Sequence, residues 1–222
     1  MALVEQVKTK ELFDCRVDYL KPLFDKYLYP WQMLPELKNY IRELMEKGMD
    51  GFTEIAPGVL VGPNVKIAPT ATIEGPAIIG ANTEIRPGAY IRSWVITGPD
   101  CVIGNSTEMK NCVLLEHVQV PHYNYVGDAV LGNFAHMGAG SICSNLKSDG
   151  KNIVVRGAVP YETGLRKLGG IIGDHGDIGC GCVLNPGTVI GQNTSVYPLT
   201  ALRGVYPANC IVKATKEVVE RA

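Results

Sequence analysis

The sequence predicts an all-β solenoid: a coil of short strands around a narrow aliphatic core, preceded by a short helical segment and carrying one loop insertion. Two observations predict it. The first is a six-residue period. From Ile55 the chain reads IAPGVL, VGPNVK, IAPTAT, IEGPAI, IGANTE, IRPGAY, IRSWVI, TGPDCV, IGNSTE, MKNCVL and LEHVQV, unbroken through Val120. The first position is aliphatic in ten of these eleven hexads, and the fifth is small or β-branched in ten. A second run from Ile172 reads IGDHGD, IGCGCV, LNPGTV, IGQNTS and VYPLTA, with every first position aliphatic. The second observation is composition. The chain is 46% hydrophobic but only 7% aromatic, with 25 Gly and 14 Pro. Small branched side chains fill a thin prism, and the glycines and prolines supply its many corners.

Taken in order, residues 1–50 are the aromatic, helix-prone part. Phe13, Tyr19, Phe24, Tyr27, Tyr29, Trp31 and Tyr40 fall here. Leu37, Ile41, Leu44 and Met45 recur at helical spacing after Pro35, and Gly48 suits the helix end. A second short helix is expected between Asp18 and Tyr27, and the whole segment reads as a helical cap. Residues 51–213 form the coil. Each hexad makes one strand and one corner, three hexads close a coil of about 18 residues, and coils stack at ~4.8 Å. Residues 145–171 interrupt the repeat and carry Lys147, Lys151, Arg156, Arg166 and Lys167 against Asp149 and Glu162. An insertion of this kind becomes a loop on one face, and its positive excess suits an anionic ligand. Residues 214–222 read as a C-terminal tail.

Several function classes are disfavoured. Charged residues are 19% and the net charge is −1, which argues against disorder and against a strongly basic nucleic-acid surface. No apolar run approaches the length of a membrane-spanning helix, so no membrane partner is expected. The start, MALVEQVKTKELFD, does not read as a signal peptide. Seven cysteines without an export signal fit free thiols in the cytoplasm. Cys180 and Cys182 are the only close pair, and one C-x-C does not make a metal site.

The hexad register allows column arithmetic, since residues one coil apart share a corner. It places Arg86, Gly104 and His122 in one column and Glu74, Arg92, Lys110 and Asp128 in another. A groove with a cation at one end and an imidazole at the other suits an anionic substrate and a neutral base. Of the four histidines, 117, 122, 136 and 175, His122 has the most distinctive neighbourhood: VPHYNYVGDAVLGNFAHMGAGSICSNLKSDGK.

The hexads resemble the hexapeptide-repeat acyltransferase superfamily. The stretch from His122, with H-x-x-Y-x-G-D followed by G-A-G and S-N, resembles the acetyltransferase domain of bifunctional glucosamine-1-phosphate acetyltransferase/N-acetylglucosamine-1-phosphate uridyltransferase. It looks closer still to archaeal-type sugar-phosphate nucleotidylyltransferase/amino-sugar acetyltransferases. The resemblance spans about residues 53–213 and implies a left-handed parallel β-helix, acetyl-CoA as co-substrate and a homotrimer with sites between subunits. It implies that His122 is the catalytic base and that Glu108 orients it. Arg86 and Lys110 would grip the sugar phosphate, with Tyr125, Asn145 and Lys151 also lining the substrate. Ala139 and Cys180 would line the acetyl-CoA channel. Two departures stand out: His136 occupies a sugar-contacting position where the family usually has Asn, and Cys180 one where a small hydroxyl residue is common. YPWQMLPELKNYI looks like the end of the relatives' nucleotidylyltransferase domain, but no glycine-rich nucleotide loop occurs, so no uridyltransferase activity is expected.

The expected chemistry is amide formation. An amino-sugar phosphate, with glucosamine-1-phosphate as the default, loses a proton from its amine as it attacks the thioester. An imidazole titrating near neutrality accepts that proton, and backbone N–H groups of the Gly138-Ala139-Gly140 turn or the Gly179-Cys180 corner stabilise the oxyanion. Two rivals stay open. One is a γ-carbonic-anhydrase-like metalloenzyme, because His117 and His122 have an H-x4-H spacing. The other is a non-catalytic solenoid subunit.

Overall fold

In the computed structural model, which describes residues 6–214 and 217–221, three sheets wrap a triangular prism. Sheet 1 has nine strands, from Thr53–Ala56 and Val59–Val61 through Ala77–Ile79 and Val95–Thr97 to Val205–Tyr206. Sheet 2 has seven, from Thr72–Ile73 to Ala201–Leu202, and sheet 3 has nine, from Lys66–Ile67 to Cys210–Ala214 and Glu217–Glu220. Successive strands pass from sheet 1 to sheet 3 to sheet 2 and back. All pairings along the coil are parallel, with an antiparallel strand added at each end. The architecture is the left-handed parallel β-helix. The last strand, Glu217–Glu220, lies in what the sequence presents as a tail.

The core is a stack of inward side chains that the three sheets contribute in turn. Ile79, Ile85, Ile91, Ile103, Met109, Val120, Val126, Met137, Ile178 and Leu184 are all buried in it. Here the hexad register needs a correction. Val102 pairs with Glu84, eighteen residues back, but Gln119 pairs with Val102, seventeen back. The corner at Asn111 is one residue short, so Leu114 rather than Leu115 enters the prism. The same shortening recurs at Asp128, and both corner residues take a positive φ (46° and 48°). Columns counted in eighteens therefore slip by one. Arg86 and Gly104 are followed by Pro121, not His122, and Lys110 pairs with Gly127, not Asp128.

The N-terminal segment lies along a face of the prism rather than over its end. Helices α1 (Thr9–Leu12), α2 (Lys21–Lys26) and α3 (Leu37–Lys47), with the segments that join them, bury Leu12, Leu20, Leu23, Trp31, Leu37 and Ile41 against the outer side of sheet 1. That side presents Ile78, Ile96, Val113, Val130, Ile171 and Val189. Apolar contact supplies the attraction, and polar bonds set the position. Gln6 Oε1 accepts from Gln192 N–H (2.8 Å), Asp14 N–H donates to Asp174 Oδ2 (2.8 Å), and Tyr19 O–H donates to the Thr97 carbonyl (2.7 Å). Helix α3 ends at Gly48, whose φ of 75° suits glycine.

The interruption between Cys143 and Ile171 sits on the corner between sheets 2 and 1 and folds into a hairpin, Val154–Arg156 with Pro160–Glu162. It is anchored, not a solvated loop. Ile153, Val155 and Leu168 are buried in the same cluster as the helices, and Tyr161 meets Tyr29 and Trp31 at 5.5 and 6.1 Å. One face of the prism is thus covered, while sheets 2 and 3 and the corner between them are left uncovered by these segments.

Candidate active site

The corner between sheets 3 and 2 stacks one residue per coil. Pro87, Asn105, His122, Ala139, Cys180 and Pro198 follow one another along the axis. His122 pairs with Asn105, the Gly140 N–H donates to the His122 carbonyl (3.0 Å), Gly181 N–H to Ala139 (2.8 Å), and Leu199 N–H to Cys180 (2.9 Å). At ~4.8 Å per coil, Cys180 lies about 10 Å from His122. The residue after each of these turns left-handed, as at Gly88, Ser106, Tyr123, Gly140, Gly181 and Leu199.

Beside this column runs a trough made by its predecessors: Arg86, Gly104, Pro121, Gly138, Gly179 and Tyr197. At its glycines, close backbone approach between coils leaves no space for a Cβ. A Cβ on Gly104 would lie 1.5 Å from the Pro121 carbonyl oxygen, and one on Gly138 2.7 Å from the Cys180 nitrogen. The trough has Arg86 at one end and an imidazole along its edge.

His122 is exposed at the end of its strand and held through its backbone. Its N–H donates to Asn124 Oδ1 (3.1 Å), and Asn124, buried, donates from Nδ2 to the Gly138 carbonyl (2.8 Å). The imidazole itself has no hydrogen-bond partner among the described residues. Asn124 is a corner clamp that sequence reasoning missed, although it stands inside the H-x-x-Y segment.

The other residues named from the sequence are distributed as follows. Glu108 accepts from Arg92 Nη1 (2.8 Å), so this carboxylate is held by a guanidinium and not by the imidazole. Arg86 Nε donates to Glu84 (3.1 Å). Lys110 is half-buried on the outer face of sheet 2, without a partner among the described residues. Tyr125 stands on the same sheet, and its ring covers Gly127, where a Cβ would lie 2.5 Å from the hydroxyl oxygen. Burial, with Asp128 and Glu108 nearby, raises the Tyr125 phenol above its ordinary range. Asn145 donates from Nδ2 to Asp128 Oδ2 (2.6 Å) and toward the Tyr125 hydroxyl (3.2 Å). Asp128, buried, also accepts from Asn111 (2.7 Å). It fixes Asn145 and was missed because the uncorrected register put it in another column. His136, on sheet 3, places Nδ1 2.8 Å from Asp177 Oδ1 on the next coil. Lys151 is exposed on the insertion, with its backbone N–H bonded to Asp149 (3.0 Å).

Ala139 and Cys180 stand in the same column as His122. The neighbouring N–H groups are spent within the coil: Gly138 on Ile178, Gly140 on His122, Gly179 on Val196 and Gly181 on Ala139. The N–H groups of Ala139 and Cys180 have no acceptor among the described residues. Cys180 is also the one exposed cysteine of the seven.

His117 and His175 belong elsewhere. They lie on the corner between sheets 1 and 3 and stack on the two faces of Phe134, at 4.5 and 5.0 Å. His117 and His122 are therefore on opposite edges of sheet 3. Among the described residues no three His, Cys, Asp or Glu side chains gather as a metal-ligand set within the chain.

The family described as the GMPPB C-terminal domain matches residues 73–162. A bifunctional protein GlmU of Methanococcus vannielii is 29% identical over 82% of this chain and 42% of its own length. A bifunctional sugar-1-phosphate nucleotidylyltransferase/acetyltransferase of Sulfurisphaera tokodaii is 34% identical over 62% of this chain and 38% of its own. An uncharacterised acetyltransferase of Escherichia coli, YaiX, is 34% identical over 77% of both chains. The chain belongs to the hexapeptide-repeat acyltransferase superfamily. It spans less than half the length of the two bifunctional relatives. Within the superfamily, the structure of LpxA from Acinetobacter baumannii shares the fold, with a TM-score of 0.51 at 14% identity over 72% of this chain and 68% of that one. No described helix is long and apolar enough to cross a membrane.

Proposed function

We propose that this chain is an acetyl-CoA-dependent N-acetyltransferase acting on an amino-sugar phosphate, working as a cytoplasmic homotrimer. The observation that carries the reading is the His122 corner. It holds an exposed imidazole with both backbone groups pinned and its ring free, in one column with two unspent backbone N–H groups.

In this mechanism neutral His122 accepts the proton that the sugar amine loses as it attacks the thioester carbonyl. Carbon–nitrogen bond formation places negative charge on the carbonyl oxygen. The N–H of Ala139 or of Cys180 is a preorganised donor for it, needing no rearrangement during reaction. Collapse expels the coenzyme A thiolate, which takes up the proton. The exposed imidazole is open to an approaching substrate amine. Arg86 and Lys110 provide positive charge for the sugar phosphate, and Arg86 must loosen from Glu84 to give its full fork. The Asp128–Asn145–Tyr125 cluster offers a fixed polar wall. His136, oriented by Asp177, presents Nε2 where the relatives' Asn would meet the sugar, which makes it the residue expected to set sugar preference. Glu108 is paired with Arg92, and orienting His122 would require its release from that guanidinium.

Thiol release from acetyl-CoA, followed with a panel of amino-sugar phosphates and nucleotide-linked amino sugars, tests the reading. Acceleration by at least one amine is expected. If none accelerates release, the acetyltransferase assignment fails.

A further inference from the structure

The insertion hairpin and the coil corner it leans on enclose a cavity of about 420 Å³ that the acetyl-transfer reading does not use. Its walls carry Lys147 and Arg156 from the insertion, Arg203 and Asn185 from the coil, and Ser144 from the strand end before the insertion. Asp149 is the one carboxylate lining it. Lys147 lies 3.4 Å from Asp149, which leaves the two arginines uncompensated. Neither guanidinium has a partner among the described residues.

The two elements that carry the arginines are in contact. Gly204 follows Arg203 with a φ of 94°, and a Cβ there would lie 2.7 Å from the Arg156 carbonyl oxygen. The hairpin backbone therefore rests directly on the corner that carries Arg203. A second contact repeats this one coil earlier, where a Cβ on Gly187 would lie 2.6 Å from Ile153. Buried Ile153 and Val155 hold the hairpin down, so this wall is fixed rather than a mobile loop. On the coil side, Asn185 N–H bonds the Leu202 carbonyl (2.9 Å) and Ser144 N–H the Leu184 carbonyl (2.9 Å). This stacks Ser144, Asn185 and Arg203 one above another. Both arginines are exposed, one on each of two elements in contact, and guanidinium groups with flanking hydroxyl and amide groups match phosphate oxygens.

We propose that this cavity binds a phosphate or diphosphate group. It stands on the corner between sheets 2 and 1, whereas His122 stands on the corner between sheets 3 and 2. None of its lining residues is one assigned above to the acetyl-transfer site, so the proposal does not depend on that reading. The ligand's source is either a nucleotide-linked molecule, the phosphates of coenzyme A, or a free anion.

The test is calorimetric titration of the full chain with pyrophosphate at low salt, in two double variants with unchanged thermal transitions. R86Q/K110Q removes the cations of the other site, and R156Q/R203Q removes those of this one. Pyrophosphate is expected to bind R86Q/K110Q and to bind R156Q/R203Q at least tenfold more weakly at this site, with the affinity falling as salt rises. If R86Q/K110Q shows no binding, or if R156Q/R203Q binds like the wild type, the proposal is overturned. Competition in R86Q/K110Q then names the source: displacement by UDP points to a nucleotide-linked ligand, displacement by coenzyme A to the cofactor, and displacement by neither to a free anion.

Discussion

The two corners that flank sheet 3 use the same backbone device for opposite ends. On the corner between sheets 1 and 3, Asn64, Asn82, Asp100, His117, Phe134, His175, Asn193 and Asn209 all sit at a φ between 54° and 60°. Their side chains satisfy one another. Asn64 donates to Asn82 and Asn82 to Asp100, each at 3.1 Å, then come the His117–Phe134–His175 stack and an Asn193–Asn209 bond of 3.1 Å. On the corner between sheets 3 and 2, the column through Asn105, His122, Ala139 and Cys180 has no such ladder. A histidine in the first column is a rung, and its ring surfaces are occupied. A histidine in the second is held by its backbone alone, which leaves the imidazole for a substrate. Three of the four histidines thus have side-chain partners, and the fourth has none among the described residues.

The comparison breaks first at its glycines. Gly104→Ala forces a methyl into the Pro121 backbone, and the expected cost is about 3–5 kcal/mol or loss of the native fold. Gly140→Ala meets nothing within 4 Å and pays only for its φ of 71°, about 1 kcal/mol. Urea unfolding of both variants checks the ratio, and equal costs would show that the coils do not touch at Gly104.

A smaller effect is expected in the ladder. Phe134→Ala removes both ring stacks, worth about 1–2 kcal/mol together, and leaves acetyl transfer unchanged. Thermal melts and turnover on the same sample separate the two readouts. Loss of turnover without loss of stability would mean that the ladder corner takes part in catalysis.

The smallest perturbation is chemical. Burial pushes the Cys15 thiol up to about 11 and those of Cys101 and Cys143 up to about 12, so at pH 8 these three hold almost no reactive thiolate. Cys180 is exposed and should be the single thiol of seven that a thiol reagent modifies rapidly in the native protein. Acetyl-CoA should slow that modification. Unchanged labelling at saturating acetyl-CoA would remove Cys180 from the cofactor path.

The solenoid was legible because its inward positions repeat with little tolerance. The slip of register was not. In Cys112-Val113-Leu114-Leu115 either leucine satisfies the pattern, and only the helices outside, which need an apolar Leu115, decide between them. The position of those helices did leave a signal. The sixth residues of the hexads on one face, Leu60, Ile78 and Ile96, are aliphatic, while those on the other two faces are Lys66, Thr72, Glu84 and Tyr90. An 18-residue apolar period on an outward position marks a covered face. At the site, the motif pointed to His122, Tyr125 and Asn145. It could not show that Asp128 fixes Asn145, or that Arg86 and Glu108 are engaged by Glu84 and Arg92. The Asp128–Asn145 pairing depends on which side chains the shortened corners bring alongside, and local spacing does not encode that. Glu84 with Arg86 and Arg92 with Glu108 lie in unshortened register, and there the motif's expected roles masked the neighbouring charges.

The central claim is that the open corner, and not the ladder corner, holds the base. The direct measurement is the turnover number for acetyl transfer in His122→Ala and His117→Ala, side by side, with the best amino-sugar acceptor. His122→Ala is expected to lose about 10²–10⁴-fold in kcat, with acetyl-CoA binding retained, while His117→Ala stays within about threefold of the wild type. A His122→Ala variant as fast as the wild type, or an equal loss in His117→Ala, would contradict the account.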